Sequence, residues 1–234
     1  MRGATMPDEK LLSAYRILEV SPLPAGAICG LLLGDMGAEV IKLESPAGDP
    51  ARHTGLYTIQ GEAALFLSLN RNKRSLRLDL QKEKGRALFY RLLPTVDVLI
   101  EGLGPGEARQ WQIDYDTCRK IRNDIIYLSL SGFGPTGPYA ARPAHDPLIQ
   151  AASGLMALTG EHGGPPLLAG NAAADFGGAA FSAFAVCAAL FHRERSGEGQ
   201  LIQHALLDAM LYSLLPREGE VLATGQELER YGTG

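Results

Sequence analysis

The sequence predicts an α/β fold, with a mostly parallel open sheet and helices on both of its faces. Short apolar segments alternate with helical segments through the first half of the chain, and such an alternation favours right-handed crossovers between parallel strands. Each apolar segment also ends in Gly, Pro or small polar residues, which is typical of a ligand-binding edge at the carboxyl ends of parallel strands. The predicted strands are 16–20, 39–44, 75–80, 97–100 and 125–131.

Each predicted strand has a local reason. Segment 16–20 (RILEV) is an apolar run stopped by Ser21 and Pro22, and segment 39–44 (EVIKLE) alternates in character before Ser45. The next two segments, SLRLDL and DVLI, are short and rich in branched residues, while IIYLSLS has the clearest strand pattern and ends at a Gly-Phe-Gly-Pro turn. Apolar runs of this length, bounded by turn residues, predict buried strands.

The helical segments between and after these strands contain apolar residues at helical spacing. They are predicted at 25–36, 82–93, 147–159, 175–195 and 201–215. The last three follow Pro143, after which the pattern predicts helices only. The polar stretch 47–61 predicts an irregular surface loop.

Composition excludes several classes of function. The chain has 234 residues, of which 46% are hydrophobic, enough for one or two globular domains with a real core. The net charge of −4 argues against non-specific nucleic-acid binding, which needs a basic face. The three cysteines lie far apart and show no metal-ligand spacing, so we expect reduced thiols, no metal site and a cytoplasmic location. The N-terminus lacks an apolar signal core, and no segment is expected to span a membrane.

A single carboxylate, Asp175, lies at the start of the long apolar helix predicted at 175–195. One interpretation is an ordinary helix cap, because an acid at this position binds free N–H groups and favours the positive end of the helix dipole. The small residues on both sides of Asp175, including Gly177 and Gly178, favour a second interpretation. Bare backbone lets a large ligand come close, which predicts a ligand-facing acid.

The other candidates are weaker. Arg71, Lys73 and Arg74 form a basic cluster before a predicted strand, interpreted either as a solvated charge run or as a phosphate site. His145 lies near the predicted binding edge, where an imidazole can move protons near neutral pH. Asp146 is predicted to cap its own helix, since Pro147 follows it.

Several motifs occur in an order that resembles one family. They are DMGAEVIKLESPAGDPAR, NRNKRSLRLDL, DVLIEGLGPG, IIYLSLSGFGPTGPY, HDPLIQAASGLM, ADFGG and HRERSGEGQ. Together they resemble the class III CoA-transferases, the CaiB/BaiF family, which also includes α-methylacyl-CoA racemases. The resemblance runs from about residue 18 to 210 and implies the Rossmann-like large domain of these enzymes.

The resemblance implies that Asp175 is the catalytic aspartate. In these transferases the carboxylate attacks an acyl-CoA thioester and releases CoA thiolate, leaving an aspartyl–acyl anhydride. An aspartyl-CoA thioester then passes the CoA to an incoming carboxylic acid. CoA is thus a substrate, carried as a thioester, and no permanently bound cofactor is expected.

The resemblance also implies a set of CoA-binding residues. They are Ala25, Leu78, Asp79, Leu80, Gly104, Arg142 and His145. This chain departs from the family pattern at Ser45, where Arg or His is frequent, and at Gln81, where Lys is usual. It also has Gly102-Leu103 in place of Asn-Phe. Arg71, Lys73, Arg109 or Arg142 would then supply the missing phosphate contacts.

Alternatives remain at this point. His145 and Asp175 also match the racemase pattern, in which one group removes and the other delivers the α-proton of a 2-methylacyl-CoA. A further reading is an inactive chain or a half-enzyme. We expect a tail at 1–15, an incomplete large domain at 16–215, and the start of a linker at 216–234. The expected partners are acyl-CoA and carboxylic acid substrates, together with a second copy or a partner chain that supplies the missing half.

Overall fold

The structure, a computed structural model, describes residues 10–232 and is built on a six-stranded sheet. The strands of the whole described chain are β1 Arg16–Val20, β2 Glu39–Glu44, β3 Thr58–Ile59, β4 Glu62–Ala63, β5 Lys73–Arg77, β6 Val98–Glu101, β7 Ile126–Ser131 and β8 Gln200–Ala205. The sheet has the order β5-β2-β1-β6-β7-β8, and every neighbouring pair is parallel. Strands β3 and β4 form a separate antiparallel hairpin. The predicted parallel sheet is confirmed.

Helices cover both faces of the sheet, as predicted. They are α1 Pro24–Asp35, α2 Ala64–Asn70, α3 Glu83–Leu92, α4 Glu107–Gln110, α5 Tyr115–Cys118, α6 Asp146–Ser153, α7 Leu155–Leu158, α8 Ala173–Ser196, α9 Leu206–Ser213 and α10 Arg217–Thr224. Two short 3₁₀ segments, Pro50–His53 and Leu93–Thr95, complete the set.

Two hydrophobic cores lie on opposite faces of the sheet. On one face, α1 and α8 pack against β1, β6 and β7 through residues such as Leu33, Val186 and Ile126. On the other face, Phe89 of α3 and Ile113 pack against Leu18 and Leu99. Leu33, Val186 and Phe89 come from helices and the others from strands or a short connection, and each is fully buried. The sheet is therefore the centre of a layered structure.

The order of strands changes direction between β1 and β6. From β1 the chain first builds outward through β2 and β5, then returns to build β6, β7 and β8 on the other side. Connections leave in opposite directions at such a point, so a crevice opens between the carboxyl ends of the two strands. This topology places the binding edge that the sequence predicts.

Three predicted elements differ from the structure. Strand β8 was predicted as the first part of a helix at 201–215, and α9 begins only at Leu206. Strand β5 lies two residues earlier than predicted and ends at Arg77, so that Leu78–Leu80 forms the loop beyond it. The predicted helix 147–159 is divided into α6 and α7 at Gly154, whose φ of 89° is incompatible with a continuous helix.

The two ends of the described chain pack onto the domain. Leu12 is buried in the core beside α1, although the sequence suggested a tail over 1–15; residues 1–9 lie outside the described residues. In the predicted linker, residues of α10 line a cavity together with residues of α6 and α7, and Arg230 donates to the carbonyl of Ala157. Helix α8 is long and apolar enough to cross a membrane, but half of that stretch is buried against the sheet, as in the core helix of a globular domain.

Candidate active site

The N-terminus of α8 is capped from another helix. The Asp146 carboxylate, in the first turn of α6, accepts hydrogen bonds from the backbone N–H of Ala174 at 2.7 Å and of Asp175 at 3.1 Å. Asp146 makes no side-chain cap on α6, so the prediction that it caps its own helix is wrong. A carboxylate at this position satisfies the free N–H groups and the positive end of the α8 dipole. The role of a helix cap at α8 is thus filled by Asp146.

Asp175 is left without a capping role. No hydrogen bond among residues 10–232 reaches its carboxylate, and the residue is 5% exposed. Burial, and next the negative charge of Asp146, raise the pKa of Asp175 to about 6. Burial without a hydrogen-bond partner makes the ionised form of a carboxyl group unfavourable. Groups of this kind are concentrated at functional sites.

Gln150 holds the segment that leads into α8. Its amide group donates to Asp146 Oδ2 at 2.6 Å and to the carbonyl of Asn171 at 3.2 Å, and its oxygen accepts from the N–H of Ala169 at 3.0 Å. Gln150 is fully buried. It therefore ties α6 to the approach to Asp175. Sequence reasoning missed this role because the partners lie about twenty residues apart and no local pattern marks them.

The small residues around Asp175 serve packing as well as access. A Cβ added to Gly178 would lie 2.2 Å from Leu206 Cδ2, so this glycine is needed for close packing of α8 on α9. At Gly177 the nearest atom is Ser213 Oγ at 3.7 Å, which leaves ordinary space. Asp175 is 5% exposed and does not line the cavity at the carboxyl ends of the strands or the one beside α10, so the approach to it is narrower than expected.

The remaining predicted residues near α8 differ in their surroundings. Ala25 is fully buried and shares a small core with Ala174, next to Asp175. His145 is exposed and is the N-cap residue of α6, directly before Asp146. Arg142 is exposed, with its guanidinium over the ring of Tyr139 at 4.2 Å. Ala25 and His145 are thus brought to the region of Asp175, whereas Arg142 lies on the surface.

A cavity of about 330 Å³ opens at the carboxyl ends of β1, β2, β5 and β6. Leu78, Asp79 and Leu80 line it, as does Trp111 after α4. Gly104 does not line it, but directly follows the lining residue Leu103. The cavity occupies the point where the strand order reverses, the usual place for a ligand in such sheets. The structure thus brings the predicted Leu-Asp-Leu segment to the binding edge.

A buried network of charges holds the loop that forms one wall of this cavity. Lys42 donates to Glu19 at 2.6 Å and pairs with Asp49 at 2.7 Å, and its side chain is 2% exposed. Burial opposes the charged form, but Glu19 and Asp49 together raise the pKa of Lys42. Removing one partner of a buried ion pair leaves the other charge uncompensated, at a cost of about 3–5 kcal/mol. This network therefore fixes the position of Asp49.

A second ion pair supports the same loop. The Arg52 guanidinium donates to both oxygens of Glu44, each at 2.7 Å, and Glu44 also accepts from the N–H of Asp49 at 2.9 Å. Burial alone would raise the pKa of Glu44, but the hydrogen bonds from Arg52 and Ser75 lower it to about 2. Glu44 is consequently ionised and fully paired at neutral pH.

Two of the proposed substitutes for the missing phosphate contacts lie in the wrong place. Lys73 is in β5 with its side chain 2% exposed, where it pairs with Glu19 at 2.8 Å. Arg71 pairs with Asp35 at the C-terminal end of α1, the opposite edge of the sheet from the cavity. The phosphate interpretation of this cluster is wrong for both residues. Arg109 is exposed on α4 near Trp111.

Comparisons with known proteins agree with this architecture. Residues 12–234 match the family model described as CoA-transferase family III. A succinate–glutarate CoA-transferase from Agrobacterium fabrum is 41% identical over 235 residues, covering 97% of this chain and 59% of the relative. The alpha subunit of a succinyl-CoA–L-malate CoA-transferase from Chloroflexus aurantiacus is 37% identical, covering 98% of this chain and 54% of that subunit.

A solved structure shows the same fold. The crystal structure of a CAIB/BAIF family protein from Brucella suis matches with a TM-score of 0.92 at 39% identity, covering 96% of this chain and 61% of that one. The chain thus spans between half and two thirds of the length of the relatives it matches. A family match over nearly its whole length, with this fold, means that the chain belongs to CoA-transferase family III.

Proposed function

We propose that this protein moves CoA between an acyl-CoA thioester and a carboxylic acid, with Asp175 as the nucleophile. The carboxylate of Asp175 attacks the thioester carbonyl, the C–S bond breaks, and CoA leaves as a thiolate. The thiolate then attacks the aspartyl carbonyl of the mixed anhydride, which releases the first acid and leaves an aspartyl-CoA thioester. Attack by the second carboxylic acid reverses these steps on the new acyl group.

One observation carries this proposal: the cap of α8 is supplied by Asp146, and the Asp175 carboxylate has no bonding partner among the described residues. The ordinary explanation for an acid at a helix start is therefore already met by another residue. With a pKa of about 6, Asp175 is largely ionised at pH 7 and is a stronger nucleophile than a carboxylate of ordinary pKa. The positive end of the α8 dipole favours the oxyanion that forms on the attacked carbonyl.

The approach to Asp175 is narrow, because the residue is only 5% exposed. The segment before α8, including Asn171 and Ala172, is exposed and connects to the rest of the site through Gln150. We propose that this segment opens when substrate binds and closes to exclude water, which would otherwise hydrolyse the anhydride.

The cavity at the point of strand reversal would take part of the CoA. Its walls are mostly apolar and include Leu78, Leu80 and Trp111, which suits a planar base. In this proposal Asp79 and Gly104 contact the same molecule, and Ala25 and His145 lie nearer to its thioester end. Arg142 would bind a phosphate from the surface.

The relatives' names contain succinyl-CoA, succinate, glutarate and malate, so we propose small dicarboxylic acids and their CoA thioesters as substrates.

A racemase is the second candidate, supported by the position of His145. This residue directly precedes Asp146, whose carboxylate binds the backbone N–H of Asp175, so His145 and Asp175 belong to the same region of the fold. The names of the matched relatives favour the transferase.

We also propose a cytoplasmic protein that acts as a dimer or with a partner chain, since one relative is named as an alpha subunit.

The test is chemical trapping. The full chain is incubated with succinyl-CoA and hydroxylamine, which converts an activated aspartyl carbonyl to a hydroxamate. Peptide mass spectrometry should find the modification at Asp175 and not at Asp146. If no hydroxamate forms but a 2-methylacyl-CoA exchanges its α-proton in deuterated water, the racemase is correct and the transferase proposal is wrong.

A further inference from the structure

Two cations beside the cavity are each paired with carboxylates. Arg52 is bound to Glu44 and to Glu62, and Lys42 is bound to Glu19 and Asp49. These pairs neutralise both cations, because each already has carboxylate oxygens within 3.1 Å. Neither is free to bind a phosphate on a ligand without losing a pair.

Arg77 differs from these two cations. It is the last residue of β5, lies opposite Glu44 in the strand register, and directly precedes Leu78, which lines the cavity. Its side chain is exposed and makes no ion pair or hydrogen bond with any residue of the described chain. The nearby Glu44 oxygens are already taken by Arg52, Ser75 and the N–H of Asp49.

The guanidinium of Arg77 lies against the mouth of the cavity. A Cβ added to Gly48, which lines the cavity, would be 3.3 Å from Arg77 Nη2. Gly48 has a φ of 92° and closes a turn in which its N–H donates to the carbonyl of Ser45 at 2.9 Å. The cation therefore lies beside the backbone of Gly48 at the rim, next to the paired side chains of Arg52 and Glu44.

We propose that Arg77 binds the phosphate on the ribose of CoA while the adenine base occupies the cavity. This inference rests on the proposed function. The ribose phosphate is a monoester that carries close to two negative charges at neutral pH, and a guanidinium binds such a group through two parallel hydrogen bonds. The base and this phosphate are attached to the same ribose. A base in the cavity therefore brings the phosphate to the rim. Asp79 also lies on the cavity wall, and its carboxylate accepts a hydrogen bond from the N–H of Gln81 at 3.0 Å.

The test compares two ligands and two variants by titration calorimetry. The full chain, Arg77→Gln and Arg74→Gln are each titrated with CoA and with 3′-dephospho-CoA, which lacks only the phosphate in question. Arg74 is the matched control, because it lies in the same strand, is 79% exposed and pairs with Glu39 near the other end. We expect Arg77→Gln to weaken CoA binding by about tenfold, the loss of one charge-assisted contact, with no loss for 3′-dephospho-CoA.

Each outcome decides between the proposals. Arg74→Gln should leave both affinities unchanged, and Arg77→Lys should retain part of the preference for CoA, since it keeps the charge but not the planar fork. If Arg77→Gln weakens the binding of CoA and of 3′-dephospho-CoA equally, Arg77 contacts the diphosphate and not the ribose phosphate. That result would overturn the inference. Unchanged CoA binding in Arg77→Gln would also overturn it, with the proposed function intact. If the unaltered chain binds neither ligand, both proposals fail.

Discussion

At the scale of single residues, Asp175 and Asp146 show how two carboxylates near one helix end acquire different roles. Asp146 accepts two backbone N–H groups of α8 and the amide of Gln150, so its negative charge is compensated. Asp175 has no such bonds, and burial disfavours its ionised form. Asp146 is thus a hydrogen-bond acceptor for the start of α8, whereas the charge of Asp175 is disfavoured by the fold.

This difference predicts that Asp175→Asn is inactive and more stable. The pKa of Asp175 is raised from 3.8 in the unfolded chain to about 6 in the folded one, so its ionisation destabilises the folded state. The cost is fully present above pH 6 and disappears as the pH falls below the unfolded value. We expect a gain of about 1–3 kcal/mol in the free energy of unfolding at pH 7.5, measured with urea.

The pH dependence provides the control. At pH 4 the carboxyl is protonated in the folded state and half protonated in the unfolded one, so most of the gain should be lost. Asp208→Asn is the matched variant, because Asp208 is exposed in the first turn of α9 and favours that helix dipole. It should destabilise slightly at pH 7.5. A destabilised Asp175→Asn at pH 7.5 would mean that the ionised carboxylate supports the fold, contrary to the proposal.

At the scale of elements, the close approach of α8 and α9 depends on one glycine. Gly178 lies against Leu206, which is 1% exposed and has little space in which to move. Gly178→Ala should therefore overpack the contact and destabilise by about 1–3 kcal/mol. Its neighbour provides the comparison, because Gly177→Ala meets nothing closer than 3.7 Å and should stabilise by up to about 1 kcal/mol through helix propensity. Thermal unfolding of both variants measures the difference; a stabilised Gly178→Ala would show that Leu206 adapts.

The sequence predicts the central strands better than the edge strands, for a physical reason. Strands β1, β6 and β7 are paired on both sides and largely buried, so most of their residues are apolar. Edge strands have no such requirement. In β5 the residues Lys73 and Arg74 resemble a charged loop, and in β8 the mixture of Leu201, Gln203 and His204 resembles one side of a helix.

The candidate site is predictable only in part for a related reason. Asp175 and the Leu78–Leu80 segment are marked by motifs that lie together in the chain. The cap from Asp146 and the bridge from Gln150 join residues about 20 to 30 positions apart, and their geometry exists only after the helices pack. Arg77 is similar, since its significance comes from the pairing of its neighbours Arg52 and Lys42, which the sequence does not show.

At the scale of the whole molecule, the outer face of α8 remains apolar and exposed. Phe176, Phe184 and Phe191 lie on one side of the helix at intervals of eight and seven residues, and are 55%, 73% and 60% exposed. Ala180 and Ala188 continue the same stripe. A row of aromatic side chains along one helix face is typical of a surface covered by protein.

We therefore expect the chain to self-associate through α8, in keeping with the proposed dimer. Phe184 is the most exposed of the three phenylalanines, so Phe184→Ser should remove the most contact area, weakening dimerisation by about tenfold or more while leaving the thermal stability of the monomer unchanged. Sedimentation velocity over a range of concentrations measures this. Leu56→Ser is the control, because Leu56 is 93% exposed outside α8 and should not affect assembly. A chain that stays monomeric at every concentration would exclude a second copy as the partner, and the phenylalanine stripe would then have to meet a different chain.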